Sequence, residues 1–144
     1  MDELELCTFH VERLFLGVEV RCVQEVLRHQ TITRVPLVSP VVRGLINLRG
    51  QVVTTIDMRR RLELPDFPDE SLSCNVVLCT DDGLVSLLVD EIGDVVTVPG
   101  GAFEPAPQTV RGIARKLTRG VYKLRDRLML VLDIDRAIDD GSGQ

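Results

Sequence analysis

Along most of this chain, apolar and polar residues alternate in short runs, and the runs are separated by Gly, Pro, Asp and Asn. A period of two sends successive side chains to opposite faces of a strand, so the pattern predicts an all-β protein. CTFHVERLFLGVEV breaks at Glu12–Arg13 and reads as a hairpin. Val18 and Val20 alternate with Glu19 and Arg21, the mark of a half-buried strand. Leu45 to Leu48 and Gln51 to Ile56 flank Arg49-Gly50 as a second hairpin, and Asn75 to Thr80 and Leu84 to Val89 flank Asp82-Gly83 as a third. Val95 to Val98, Gly120 to Tyr122 and Leu128 to Leu132 read as further strands. Helical signals are few. Ser39-Pro40 is a helix start with proline in the first turn, Asp57 caps a short basic helix ending by Leu64, and Asp133 to Ile138 begins another. No stretch is long enough to serve as a helical crossover between parallel strands.

The two halves echo each other. Val20, Val23, Glu25 and Val26 match Val89, Ile92, Asp94 and Val95 at an offset of 69 (89 − 20), and Val42-Arg43-Gly44 matches Val110-Arg111-Gly112 at 68 (110 − 42). Each half closes on a strand ending in aspartate, at Asp57 and Asp133; 13 positions separate Gly44 from Asp57 and 21 separate Gly112 from Asp133. This predicts one domain over 1–144 made of two similar β modules, 13–70 and 71–138. The boundary falls in the polar stretch Pro65 to Ser73, and the N-terminal strand is free to cross between modules. Modules of about 70 residues are small, so they are expected to share or abut cores.

Composition narrows the function. The chain has 144 residues, 44% hydrophobic and 27% charged, with a net charge of −5. These are the proportions of a folded domain with its own core, and the charge opposes general attraction to nucleic acid or anionic lipid. Trp is absent and Tyr122 is the only tyrosine, which is poor material for stacking bases. No apolar run approaches the roughly 18 residues of a membrane span, so no direct membrane insertion is expected. The start MDELEL lacks the basic and apolar regions of a secretory signal. Cys7, Cys22, Cys74 and Cys79 form no C-x-x-C pair and lie in or beside apolar runs, so they read as buried free thiols.

A search for chemistry returns little. There is no G-x-S-x-G, no Walker loop and no G-x-G-x-x-G. His10 and His29 are the only histidines; the face of His10 is open, and His29 sits in a polar stretch. Asp81-Asp82 and Asp139-Asp140 are adjacent turn or tail carboxylates, which do not converge on one substrate as a catalytic pair must. Asp57 ends an apolar strand as a receiver phosphoacceptor does, but the early acidic pair and the helices of a receiver are missing. No catalytic residue, metal site or cofactor is expected. The runner-up readings are a small-ligand-binding or enzymatic β-barrel and a nucleic-acid-binding small barrel.

Charge is segregated. Leu62 to Asp94 holds nine acidic residues and no basic one, while Pro105 to Leu128 holds seven basic and one acidic. The acidic stretch reads first as solubility and internal pairing, whereas Arg43 and Arg49 read as partner-facing. The most informative stretch is VVRGLINLRGQVVTTID, Val41 to Asp57, where Gly44 and Gly50 bracket a tight hairpin with Asn47 and Arg49 at its polar end. Glu25 is the candidate carboxylate for Arg49. From the residues alone, Arg49 reads equally as a rigid interface arginine or as a solvated turn residue.

Val23, Glu25 and Val26, then Pro36, VRGLINLRGQVVTTIDMRRRL from Val42, LLVDEIGDV from Leu87 and VRGIARK with LVLDIDRAI from Val110 form a set. In it the chain resembles the CheW family, the coupling proteins of bacterial chemotaxis, over roughly Thr8 to Ile138. The resemblance implies two small five-stranded SH3-like β-barrels packed together with short helices, no catalysis and no cofactor. It implies two partners, the regulatory domain of the histidine kinase CheA and the cytoplasmic tip of methyl-accepting chemotaxis receptors. It also implies a cytoplasmic location at receptor arrays on the inner membrane. A CheW-like adaptor of a non-flagellar pathway fits the same resemblance. Carried over by motif, Val23, Glu25, Arg43, Gly44, Asn47, Arg49 and Gly50 mark the protein-interaction region. Two features depart from the family pattern: Thr54, Thr55 and Ile56 stand where many relatives carry an Ile/Val-Pro pair, and the basic triplet Arg59–Arg61 is unusually heavy.

Overall fold

The computed structural model describes residues 3–36 and 39–139. Ten strands form two five-stranded sheets. The strands are β1 (Glu3–Val11), β2 (Leu14–Glu19), β3 (Val23–Arg28), β4 (Val42–Leu48), β5 (Gln51–Asp57), β6 (Cys74–Thr80), β7 (Gly83–Val89), β8 (Glu91–Pro99), β9 (Thr118–Lys123) and β10 (Leu128–Leu132). The helices are short: α1 (Met58–Arg61), α2 (Gly112–Lys116) and α3 (Ile134–Ile138). One sheet runs β8-β1-β2-β10-β9 and the other β3-β6-β7-β5-β4.

The repeat explains both sheets. Position for position, β8 corresponds to β3, β1 to β6, β2 to β7, β10 to β5 and β9 to β4. Each repeat contributes its first two strands to one sheet and its other three to the other, so the halves exchange a hairpin. The expected division at Pro65–Ser73 separates the repeats along the chain but falls between β5 and β6, two strands of one sheet. Exchange also produces what the sequence reading excluded: β2 pairs with β10 and β5 with β7 in parallel. The chain between such partners contains other strands of the fold, so no crossover helix is required.

The second half of the repeat aligns differently from the expectation at Gly112. Gly112 has φ +64 and opens α2, whereas Gly44 lies within β4. The counterpart of Gly44 is Gly120 at an offset of 76 (120 − 44), the same offset that relates Asp57 to Asp133. The hydrogen bond from Asp57 N to Val41 O recurs from Asp133 N to Leu117 O, both 2.7 Å. Asp57 accepts from Arg60 N to cap α1, and Asp133 accepts from Arg136 N to cap α3. The extra residues of the second half thus lie before the repeated glycine, where α2 is inserted.

Neither sheet is a barrel, which corrects the SH3-like expectation. The edge strands β8 and β9 of one sheet are not hydrogen-bonded to each other, nor are β3 and β4 of the other. The connections that lead into β4 and β9 lie along those edges and pair at one position each, Thr33 with Leu45 and Glu104 with Val121. Such contacts cover part of an edge without continuing the ladder. Gly44 and Gly120 permit the approach, because a Cβ on either would collide with the carbonyl oxygen of Thr33 or Glu104. The expected helix at Ser39-Pro40 is a turn, with Val42 N bonded to Ser39 O at 3.0 Å.

Alternation along the strands divides the interior in three. The largest cluster joins the sheets, with Phe9, Val11, Leu16 and Val18 from one against Ile56, Val76, Leu78 and Leu87 from the other. Leu6, Phe15, Tyr122, Met129 and Val131 fill the curl of the first sheet; Ile46, Leu48, Val53 and Val77 fill that of the second. Burial of this kind stabilises by about 25 cal/mol per Å² of apolar surface. The shared cluster makes the two sheets one folding unit. All four cysteines are free thiols, but only Cys7 is buried; Cys22 and Cys74 are half-buried, and Cys79, near the end of β6 where burial stops, is exposed.

Candidate functional site: the β4–β5 hairpin

Arg49 and Gly50 form the two-residue link of this hairpin, with φ of +51 and +88. Two positive φ values match the twist of the flanking strands, and glycine takes the second at little cost. Asn47 sets the loop: its Oδ1 accepts a hydrogen bond from Gly50 N at 2.8 Å. The side chain of Arg49 is two-thirds exposed. Its Nη1 donates to Glu25 Oε1 at 3.2 Å, and its Nη2 bonds Glu25 Oε2, a bidentate fork. The hydrogen bond from Arg49 holds the Glu25 carboxyl below its ordinary range, and the same bond raises the guanidinium.

The fork has a topological role. Glu25 stands on edge strand β3, and Arg49 leaves edge strand β4. The ion pair therefore spans the gap where the backbone does not close. Val52, opposite Asn47 in the β4–β5 ladder, is an exposed apolar side chain near the tip, whereas Val26, also exposed, follows Glu25 along β3 and points to the other face. Val23 turns the other way and packs against the shared core. The hairpin thus brings together Glu25, Asn47, Arg49 and Gly50 at one surface, with Val23 beneath.

Arg43 and Gly44 belong to the interior. The Arg43 side chain is only 10% exposed; it bonds Glu70 through Nε at 2.6 Å and reaches the fully buried Asp57 Oδ2 at 3.4 Å. Burial pushes the Asp57 carboxyl up, while the Arg60 backbone N–H and the Arg43 and Arg60 charges act against that shift. Asp57 is thus a capping and pairing residue, not a surface phosphoacceptor. The basic triplet is also internal in purpose. Arg59 binds Asp90 and the carbonyls of Pro65 and Asp66, Arg60 pairs with Asp66 at 3.2 Å, and Arg61 donates to the carbonyls of Arg136 and Ala137 on α3. Part of the acidic stretch after Leu62 finds its partners here. The structural role of Glu70 was not visible in the sequence beyond that general segregation of charge.

Among the described residues no group of three or more His, Cys, Asp or Glu is arranged to hold a metal ion, and no helix is long and apolar enough to cross a membrane.

Comparison with known proteins agrees with this architecture. The family model for the CheW-like domain matches residues 5–142. The chain is similar to the chemotaxis protein CheW of Bacillus subtilis (strain 168), 32% identical over 140 residues that cover 97% of this chain and 90% of that one. It is also similar to the chemotaxis protein CheW of Thermotoga maritima, 27% identical over 97% of this chain and 91% of that one. The fold matches the crystal structure of the scaffolding protein TtCheW from Thermoanaerobacter tengcongensis with a TM-score of 0.82, at 23% identity, covering 92% of this chain and 90% of that one. With the family model spanning nearly the whole chain, and with two exchanged five-stranded sheets behind it, the chain belongs to the CheW-like domain family and is a non-enzymatic scaffold of chemotaxis signalling.

Proposed function

We propose that the chain couples the cytoplasmic tips of methyl-accepting chemotaxis receptors to the regulatory domain of the histidine kinase CheA, as a cytoplasmic adaptor at receptor arrays on the inner membrane. Membership of the family and the chemotaxis relatives support the role. The observation that carries the site is the Glu25–Arg49 fork at the β4–β5 tip. An exposed pair stabilises a fold little, about 0–1 kcal/mol. Its geometry is nevertheless fixed by a tight turn, by Asn47 and by two sheet edges, and Val52, exposed opposite Asn47, adds apolar surface at the hairpin. A held guanidinium with apolar surface nearby is a suitable anchor for a partner surface. Asn47 and Gly50 shape the tip, Val23 supports β3 from below, and Arg43 and Gly44 hold β4 in place.

Reconstitution tests the reading. Receptor cytoplasmic fragments and the kinase regulatory domain, mixed with the chain, should sediment as one complex and separate when the chain is omitted. Sedimentation of the two partners to the same extent without the chain would contradict a coupling role.

A further inference from the structure

A second surface shares no residue with the hairpin tip. A groove of about 560 Å³ lies between the β1–β2 turn, the segment after α1, and α2. Leu14, Phe15, Leu62, Leu64, Val110 and Ile113 line it, and exposed Arg13, Arg111 and Arg127 stand at its rim beside His10. No carboxylate lines it.

The rim is positive in a molecule whose net charge is −5. Elsewhere Arg43, Arg49, Arg59, Arg60 and Arg119 are paired with carboxylates, while Arg28, Arg61, Arg115 and Arg125 form no ion pair among the described residues. Among the described residues Arg13, Arg111 and Arg127 form no ion pair. Arg127 is held in place all the same: its guanidinium lies 3.7 Å from the Phe15 ring centroid, with Nη1 3.4 Å from His10 Nε2. Stacking orients a guanidinium while leaving in-plane donors for a ligand. Glu91 Oε1 lies 4.0 Å from His10 Nδ1, and neither Glu91 nor the chain neighbours Glu12, Glu63 and Asp126 line the groove.

The repeat supplies an internal comparison. At the corresponding place in the other half is a cleft lined by Val42, Ile56, Leu84 and Val85, with Asp82 where the first has Arg13 and Leu84 where it has Phe15 (82 − 13 = 84 − 15 = 69). Its charged lining is wholly acidic: Asp81, Asp82, Asp135 and Asp139. Two clefts of like construction thus carry opposite charge.

We propose that the arginine-rimmed groove docks a short acidic amphipathic segment of a partner protein, its apolar side chains on the floor and its carboxylates at Arg13, Arg111 and Arg127. The three arginines come from three separate elements around one mouth. Carboxylates spaced along a peptide can meet all three, whereas a single-headed acyl carboxylate meets one. An open groove with an apolar floor suits a segment laid along it, and complementary charge selects acidic partners over basic ones.

The test is fluorescence anisotropy on the full chain with a labelled amphipathic peptide of about twelve residues, leucines on one face and glutamates on the other. The same peptide with lysine for glutamate, and laurate as a competitor, complete the set. The acidic peptide should bind saturably and the lysine peptide should not. Arg13→Glu combined with Arg111→Glu should weaken binding at least about tenfold with an unchanged melt, since neither side chain makes an ion pair in the fold. Asp82→Lys in the other cleft should leave binding as it is. No saturable binding of the acidic peptide up to about 1 mM, equal binding of both peptides, or indifference to the arginine substitutions would overturn the proposal. Laurate that displaces the peptide and binds more tightly would make the groove an acyl site and overturn it as well.

Discussion

The β4–β5 and β9–β10 hairpins begin from the same residues and arrive at different chemistry. Arg43, Gly44, Leu48 and Arg49 of the first recur as Arg119, Gly120, Leu124 and Arg125 of the second, each 76 positions on. Arg43 is buried against Asp57 and Glu70, while Arg119 is half-exposed and reaches Glu19 at 3.1 Å. Arg49 forks Glu25, while Arg125 has no ion-pair partner among the described residues. Neighbours decide the difference. The counterpart of Glu25 is Asp94, whose side chain is one methylene shorter, and the counterpart of Gly50 is Asp126. A shared backbone position fixes where an arginine begins; the residues around it decide whether it becomes an interior tie, a surface fork or a free side chain.

Truncating the paired arginines should break the comparison most visibly. Arg43→Ala leaves the fully buried Asp57 with only part of its compensation, and should cost about 3–5 kcal/mol in a urea melt. Arg119→Ala, at a half-exposed pair, should cost about 0–1 kcal/mol. Equal losses would show that the two copies are energetically alike.

The glycines come next. Gly44→Ala has to displace the Thr33 carbonyl at a φ of +151, and should cost about 2–4 kcal/mol. Gly50→Ala meets no atom within 4 Å and should cost about 1 kcal/mol, from its positive φ alone. A larger loss at Gly50 than at Gly44 in the same melt would contradict the account of the β4 edge.

The smallest effect concerns pH. A carboxyl whose folded-state pKa is lowered contributes stability that is present above its ordinary value and lost as pH falls through the lowered one. Glu25, ordinarily near 4.5 and lowered by Arg49, is such a group. The melts of wild type and Arg49→Ala should therefore differ slightly at neutral pH and converge in acid. Asp57 has the opposite sign: its pKa is raised by burial above its ordinary 3.8. Its contribution falls as pH rises from there through the raised value, and Asp57→Asn should remove that slope.

Much of the chain was legible because its signals are local. Alternation located the strands other than β3, Asp57 announced its cap and Asp133 the start of a helix, and Arg49-Gly50 announced a hairpin with Glu25 as the candidate carboxylate. What was not legible depends on which strands meet. Exchange of hairpins between repeats joins β2 to β10 across most of the chain and β5 to β7 over β6, and no residue signals it locally. The closed barrels were implied by the family resemblance and are not present; alternation could not have tested them, because it tells which face is buried and not whether two edges join. Arg43 read as partner-facing because its internal partner Glu70 lies 27 positions away beyond a proline-rich loop. The Gly112 match followed a local Val-Arg-Gly triplet, whereas Arg43, Gly44, Leu48, Arg49, Asp57 and Arg60 recur together only when Gly120 is taken.

The central claim is that the fork at the first hairpin tip serves binding and not folding. Titration calorimetry of Arg49→Ala, Arg49→Lys and Arg125→Ala against the kinase regulatory domain and the receptor tip, each alone, tests it most directly. Arg49→Ala should lose about 2–5 kcal/mol of binding to at least one partner with a nearly unchanged melt. Arg49→Lys should recover only part of the loss, because an ammonium has no planar fork, and Arg125→Ala should bind as wild type does. Wild-type affinity of Arg49→Ala for both partners, or a loss explained wholly by unfolding, would contradict the account.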